Sequence, residues 1–171
     1  YDHGYDSFTV YKLSSGGSSW STLPPIPSGS KQCCGTLEWF DDQGRLIWID
    51  GDWGGWSYNP SANSWTHLFR TNGNDGSGLP QYPMSSYTNF ARYSSIGVLV
   101  FGGSNNIYKM DSLGTVTTLP SAPFGNVNTG TGSSCCSVAA DPVSGRILVI
   151  NGSNQLWELN PAGSGTWTQK T

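Results

Sequence analysis

Charge is scarce in this chain. Only 11% of the 171 residues are Asp, Glu, Lys or Arg, where a soluble domain averages about a quarter. The eight Lys and Arg stand singly and the formal net charge is −3, so there is no basic footprint and nucleic acid is not expected as a partner. Histidine is rarer still. With only His3 and His67, a Ser-His-Asp or metal-His constellation has thin material, so no catalytic residue, metal or cofactor is expected. Long apolar runs are also missing: the longest are roughly six residues, far short of the about 20 that span a bilayer, and no membrane insertion is expected. No sustained helical stripe occurs either. The chain begins YDHGYDSF, with neither Met nor an apolar leader, and reads as a processed chain or an excerpt.

Glycine and large aromatics are abundant. Twenty-three Gly, eight Trp and eight Tyr argue for tight turns between short aromatic strands, an all-β chain. Residues 41–65, DDQGRLIWIDGDWGGWSYNPSANSW, hold a polar turn at Gly44, a buried run at residues 46–49, a turn at Asp50-Gly51, an aromatic strand to Tyr58, an Asn59-Pro60 turn and a strand opening at Trp65. Residues 141–167, DPVSGRILVINGSNQLWELNPAGSGTW, repeat it. Gly145-Arg146 stands for Gly44-Arg45, Asn151-Gly152 for Asp50-Gly51, Trp157 for Tyr58, Asn160-Pro161 for Asn59-Pro60, and Trp167 for Trp65. A weaker copy between them has its buried run at residues 96–101, a Gly102-Gly103 turn, Tyr108 as the aromatic and Thr117 in place of the Trp. With Trp20 ending an earlier copy, the spacings are 45, 52 and 50 residues. Such a period, with four short strands per unit, predicts β-propeller blades.

The expected divisions are residues 1–23 as the last two strands of an incomplete blade, 24–70 as blade one, 71–119 as blade two and 120–171 as blade three. Two Gly-, Asn- and Pro-rich stretches, 71–83 and 120–134, read as long loops. Trp20, Trp65, Trp157 and Trp167 read first as core between blades, since each aromatic buries about 150 to 250 Å².

The order of buried strand, Gly-Gly or Asp-Gly turn, strand ending in Tyr, Asn-Pro turn, Trp strand and Leu-Pro exit resembles the kelch motif. Phe101-Gly102-Gly103, Tyr58-Asn59-Pro60 with Trp65, Trp157 with Trp167, Leu23-Pro24 and Leu119-Pro120 carry the likeness. Only the middle copy has the double Gly, and that copy lacks the Trp. The resemblance implies a ring of four-stranded antiparallel blades. Three and a half blades leave a partial ring, expected to be completed by further chain or by self-association. Some propellers of this type are galactose-oxidase-like enzymes that hold copper with two Tyr and two His beside a Tyr–Cys crosslink, and no His and Tyr cluster marks such a centre here.

The four cysteines form two adjacent pairs, Cys33-Cys34 and Cys135-Cys136, each entering the first strand of a blade. Adjacent pairs have the wrong spacing for zinc, and a blade between them places the two pairs beyond the about 7 Å that a disulfide spans. Small buried thiols, links to another segment and vicinal disulfides all stay open.

Binding is the function best supplied with residues. The turn DGDWGGW presents Asp52, Trp53 and Trp56 among glycines, a flat aromatic surface beside a carboxylate that suits a sugar or a protein; packing inside the blade competes for Trp56. Asn74 and Asp75 in the first long loop, and Asn126 and Asn128 in the second, are further recognition candidates. Glu38, Asp50, Asp52 and Asp111 are the carboxylates from which a glycosidase pair would be drawn, against turn-capping. Asn151-Gly152-Ser153 fits a glycosylation acceptor but lies in the repeat turn. The expected function is a non-catalytic module for protein or glycan binding and assembly on an extracellular or virion surface. The alternative is part of a secreted propeller enzyme, an oxidase or glycoside-active protein, with its catalytic residues mostly elsewhere.

Overall fold

A computed structural model of the chain describes residues 10–26, 35–72, 76–84, 89–127 and 136–170. The fold is all-β, with no α-helix among the described residues and one 3₁₀ turn at Asp41–Gln43. Strands β1 (Tyr11–Leu13) and β2 (Trp20–Thr22) form a two-stranded half-sheet. Sheet one holds β3 (Thr36–Phe40), β4 (Arg45–Asp50), β5 (Gly54–Asn59) and β6 (Ser64–Arg70). Sheet two holds β7 (Asn89–Ser94), β8 (Val98–Gly103), β9 (Asn106–Asp111) and β10 (Val116–Leu119). Sheet three holds β11 (Ser137–Ala140), β12 (Ile147–Ile150), β13 (Leu156–Asn160) and β14 (Thr166–Lys170). Each is an antiparallel meander, every strand pairing with its neighbour in sequence.

Turn chemistry fixes the meanders. Asp and Asn side chains accept backbone N–H groups two or three residues on, as Asx turns do. Asn59 Oδ1 takes the amide of Ser61 at 3.0 Å, Asp111 Oδ1 that of Leu113 at 3.0 Å, and Asn160 Oδ1 that of Ala162 at 3.1 Å. Ile96 falls in the turn between β7 and β8, closed by Gly97 N donating to Ser94 O at 2.9 Å, rather than in the expected buried run. It is 47% exposed, because the run begins at Val98 after Gly97 turns the chain with φ +89°.

Residues opposite one another on neighbouring strands share a face, so the pairings give the register of the repeat. Tyr58 faces Trp65, Met110 faces Val116 and Leu159 faces Trp167, each pair next to the Asx turn of its sheet. Three assignments of the sequence reading shift accordingly. Val116, not Thr117, occupies the Trp position of sheet two. Trp157 and Tyr108 match Trp56 rather than Tyr58, since these three lie opposite Val149, Phe101 and Trp48. The Asn-Pro turns already aligned Leu159 with Tyr58; similarity of ring type had pulled the match two residues out of register.

Three apolar clusters separate the sheets. Phe40, Ile47, Ile49 and Phe69 of sheet one meet Ala91, Leu99, Phe101, Tyr108 and Met110 of sheet two. Phe90, Val100, Ile107 and Leu119 meet Val138, Ile147, Val149 and Leu159 of sheet three. Val10, Leu23 and Ile26 meet Trp48, Trp56 and Tyr58. The first strands lie side by side, β7 between β3 and β11. Polar side chains stitch them: Glu38 Oε1 accepts the Tyr93 amide at 3.1 Å, and Arg92 Nε donates to Val138 O at 3.2 Å.

One contact recurs at both seams where a Trp is present. The indole N–H of Trp65 donates to Pro24 O at 2.9 Å, and that of Trp167 to Pro120 O at 2.9 Å. Each Trp therefore caps the Leu-Pro exit of the sheet before it. Trp20 shares their register but is 67% exposed, contrary to the inter-sheet core expected for it, because no described sheet precedes the half-sheet.

Candidate functional site

The turns between second and third strands, and the loops leaving the fourth, emerge at one edge of all three sheets. The sequence candidates sit along this edge. At sheet one the turn is built on Asp50, which is 2% exposed. Its Oδ1 accepts the amides of Asp52 at 2.8 Å and Trp53 at 3.2 Å, its backbone oxygen accepts Thr71 Oγ1 at 2.8 Å, and its buried Oδ2 has no hydrogen-bond partner. Burial pushes the carboxyl up to about 6, against those two amides, which pull it down.

Thr71 N also donates to Trp53 O at 3.2 Å, and Asn72 Nδ2 donates to Gly51 O at 2.8 Å. The turn is thus clamped from below by Asp50 and from the side by the loop that follows β6. Asp52 and Trp53 are left half-buried at its tip, with Trp53 resting on the cluster of Trp48, Trp56 and Tyr58. Trp56 is different. It is 3% exposed and stacks on His67 with ring centroids 4.6 Å apart and planes 7° from parallel. Its ring offers no area to a ligand, because alternation along β5 turns it into the seam. Gly54 allows the crowding: a Cβ there would stand 2.7 Å from His67 Nε2, on a backbone with φ +156°.

The two long loops hold more structure than their composition suggests. In the first, Tyr82 sits between Phe69 and Tyr108, ring centroids 5.4 Å from each, and Met84 is buried. Asn106 Nδ2 and the Tyr108 hydroxyl both donate to Pro83 O at 2.9 Å. In the second, Phe124 lies 5.3 Å from Trp157 and 5.6 Å from Trp167, and Val127 N donates to Ser104 O at 3.0 Å. Each loop drives one ring into the seam of the next sheet. Sequence reading missed both wedges, although a lone aromatic in each Gly- and Pro-rich stretch was the available signal. Of the loop candidates, Asn126 is exposed, its backbone oxygen 3.7 Å from Cys136 Sγ. Asn74, Asp75 and Asn128 lie outside the described residues.

Of the carboxylates weighed as a catalytic pair, only Asp50 and Asp52 share a turn, where Asp50 is the buried cap. Asp111 caps a turn at the opposite edge from Asp50 and Asp52, and Glu38 is held between first strands. Asn151 is 7% exposed, with its amide donating to Gln155 Oε1 at 2.9 Å; the turn uses the side chain that glycosylation would need. Cys136 is disulfide-bonded, which overturns the free buried thiol for that residue. Cys33, Cys34 and Cys135 lie outside the described residues.

No protein-family model matches this sequence, and no curated protein matches it.

Proposed function

We propose that the sheets are blades of a kelch-like β-propeller, and that the chain works as a non-catalytic binding and assembly module. The side-by-side first strands, which join sheets one, two and three, and the Trp-to-Pro bond, which ties sheets one and three to the exit of the sheet before each, support the ring arrangement. Binding is carried by one observation: Trp53 and Asp52 stand half-buried on a turn fixed by Asp50, Thr71 and Asn72. A preset aromatic surface beside a carboxylate loses little entropy on contact and suits a saccharide or a protein loop. His67 is engaged under Trp56, which favours recognition over acid–base chemistry. The disulfide at Cys136 favours an oxidising location, so the module belongs on an extracellular or virion surface.

A glycan array probed with the wild-type chain and with Trp53→Ala tests this reading. Retained glycans should fall at least tenfold in signal with Trp53→Ala while the melting temperature changes little. Signal that survives the substitution rules out this turn as the recognition surface.

A further inference from the structure

Among the described residues, the two barest large aliphatic side chains stand on the edge away from Trp53. Val143 is 92% and Leu113 89% exposed, and Ile96, on the same edge, is 47% exposed. Glycines close their turns: Gly97, Gly114 and Gly145 have φ of +89°, +86° and +69°. Their amides donate back to Ser94 O, Asp111 O and Asp141 O, each at 2.9 Å. Backbone bonds and glycine make these turns, so the aliphatic tips take no part in forming them, and Ser or Asn would serve there as well.

The three tips share one surface. A Cβ on Gly145 would stand 2.5 Å from Ile96 Cγ2, which lays Ile96 on the turn that carries Val143. Ser94 Oγ donates to Gly145 O across the same seam. Ile96 and Leu113 belong to neighbouring turns of sheet two, since Val98 pairs with Asp111, and strand spacing sets those turns about 10 Å apart. Gln43 Nε2 donates to Asp111 O at 3.3 Å and to Ser112 O at 3.1 Å, which joins the first turn of sheet one to the turn of Leu113. A chain with this little charge has small reserve of solubility for bare aliphatic groups, and a contiguous set of them marks a contact surface.

The surroundings of the tips are acidic. Asp41 and Asp42 are exposed, and Asp111 and Asp141 are half-buried. Trp39 Nε1 donates to Asp41 Oδ1 at 3.1 Å and the Tyr93 hydroxyl to Asp42 Oδ2 at 3.0 Å, so the carboxylates are held in place. Of the cations nearby, Arg146 is paired with Glu158. Arg45 and Lys109, the latter donating to Pro161 O at 2.9 Å, are left against four carboxylates. That excess opposes a second copy of the same edge and an anionic lipid surface, and it favours a cationic partner.

We infer that this edge docks a polypeptide segment in which Lys or Arg alternates with aliphatic residues, its aliphatic side chains covering Ile96, Leu113 and Val143 and its cations meeting the surrounding carboxylates. The surface needs neither the ring arrangement nor the turn of Trp53, which lies at the opposite edge. The probe is a synthetic octapeptide of alternating Lys and Leu, with one of alternating Glu and Leu as its control. Added to the whole chain, the Lys-Leu peptide should bind one to one, shift the amide resonances of Ile96, Leu113 and Val143 but not those of Asp52 and Trp53, and weaken at high salt. Leu113→Ser combined with Val143→Ser, at two sites outside the core, should weaken binding about tenfold at an unchanged melting temperature. Asp42→Asn should weaken it about threefold and flatten the salt dependence. No binding, equal binding by the Glu-Leu peptide, or binding indifferent to the double substitution overturns the inference. So does self-association, or partition onto phosphatidylcholine vesicles, that the double substitution abolishes, because the occupant would then be a second copy or a lipid surface.

Discussion

Asp50 shows how much one buried atom decides. Its Oδ1 does the work of a turn cap, a role Asn151 performs at the same register in sheet three, accepting the amides of Ser153 at 3.0 Å and Gln155 at 2.9 Å. An amide would serve at Asp50 as well, without a charge to desolvate. The folded carboxyl titrates at about 6 against 3.8 for the free group, so the folded state binds the proton more tightly than the unfolded state. The stability linked to this group is fully present below pH 3.8 and is lost as pH rises through about 6. The span sets an upper limit of about 3 kcal/mol. Asp50→Asn should therefore leave stability nearly unchanged at pH 4 and raise it by about 1 to 3 kcal/mol at pH 7, measured by urea unfolding at both values. An equal effect at both pH values would show that charge is not what the site tolerates poorly. The sequence announced a turn at Asp50-Gly51 because Asp and Gly favour one locally. It did not announce the burial, which comes from Thr71 and the loop beyond β6.

At the scale of elements, strands were legible and loops were not. The spans of β4 and β12 follow from apolar runs between turns, and those of β6 and β14 from the Trp that opens a strand after each Asn-Pro turn, signals that act over a few residues. The wedges at Tyr82 and Phe124 depend on sheets far apart in sequence, and no local pattern encodes a seam that does not exist until two sheets meet. Glycine composition marked both stretches as loops, and their described residues hold no named strand, yet it hid their contribution to the core. Phe124 touches both Trp157 and Trp167, and Phe124→Ala leaves a gap that a rigid sheet pair cannot close. It should destabilise the chain by about 2 to 4 kcal/mol, below the fullest cost of a core Phe because the ring is half-buried. Leu113→Ala, at a residue 89% exposed, is the control and should change stability by less than about 0.5 kcal/mol. Chemical denaturation of the two variants decides between a seam wedge and a passive loop.

For the whole molecule, the two outer sheets differ from the middle one in what covers them. Sheet two has both faces buried, one against each neighbour. Sheet three turns outward a face where Ile150 is 48% and Leu156 37% exposed, beside an ion cluster in which Glu158 takes Arg146 at 2.5 Å and Lys170 at 3.0 Å. Burial alone would raise the Glu158 carboxyl, but Lys170 and Arg146 outweigh it and hold the group below its ordinary value. The half-sheet is barer still, with Tyr11 59%, Leu13 42% and Trp20 67% exposed. When each unit touches only its neighbours, local stability follows the number of covered faces. Hydrogen exchange should then be graded, slowest at Leu99, Val100 and Phe101 in β8, intermediate in β4 and β12, and fastest in β1 and β2. Mass spectrometry of exchanged peptides reads this order directly. Equal protection across all the sheets would mean that they unfold as one unit, and the neighbour-by-neighbour account of this fold would fail.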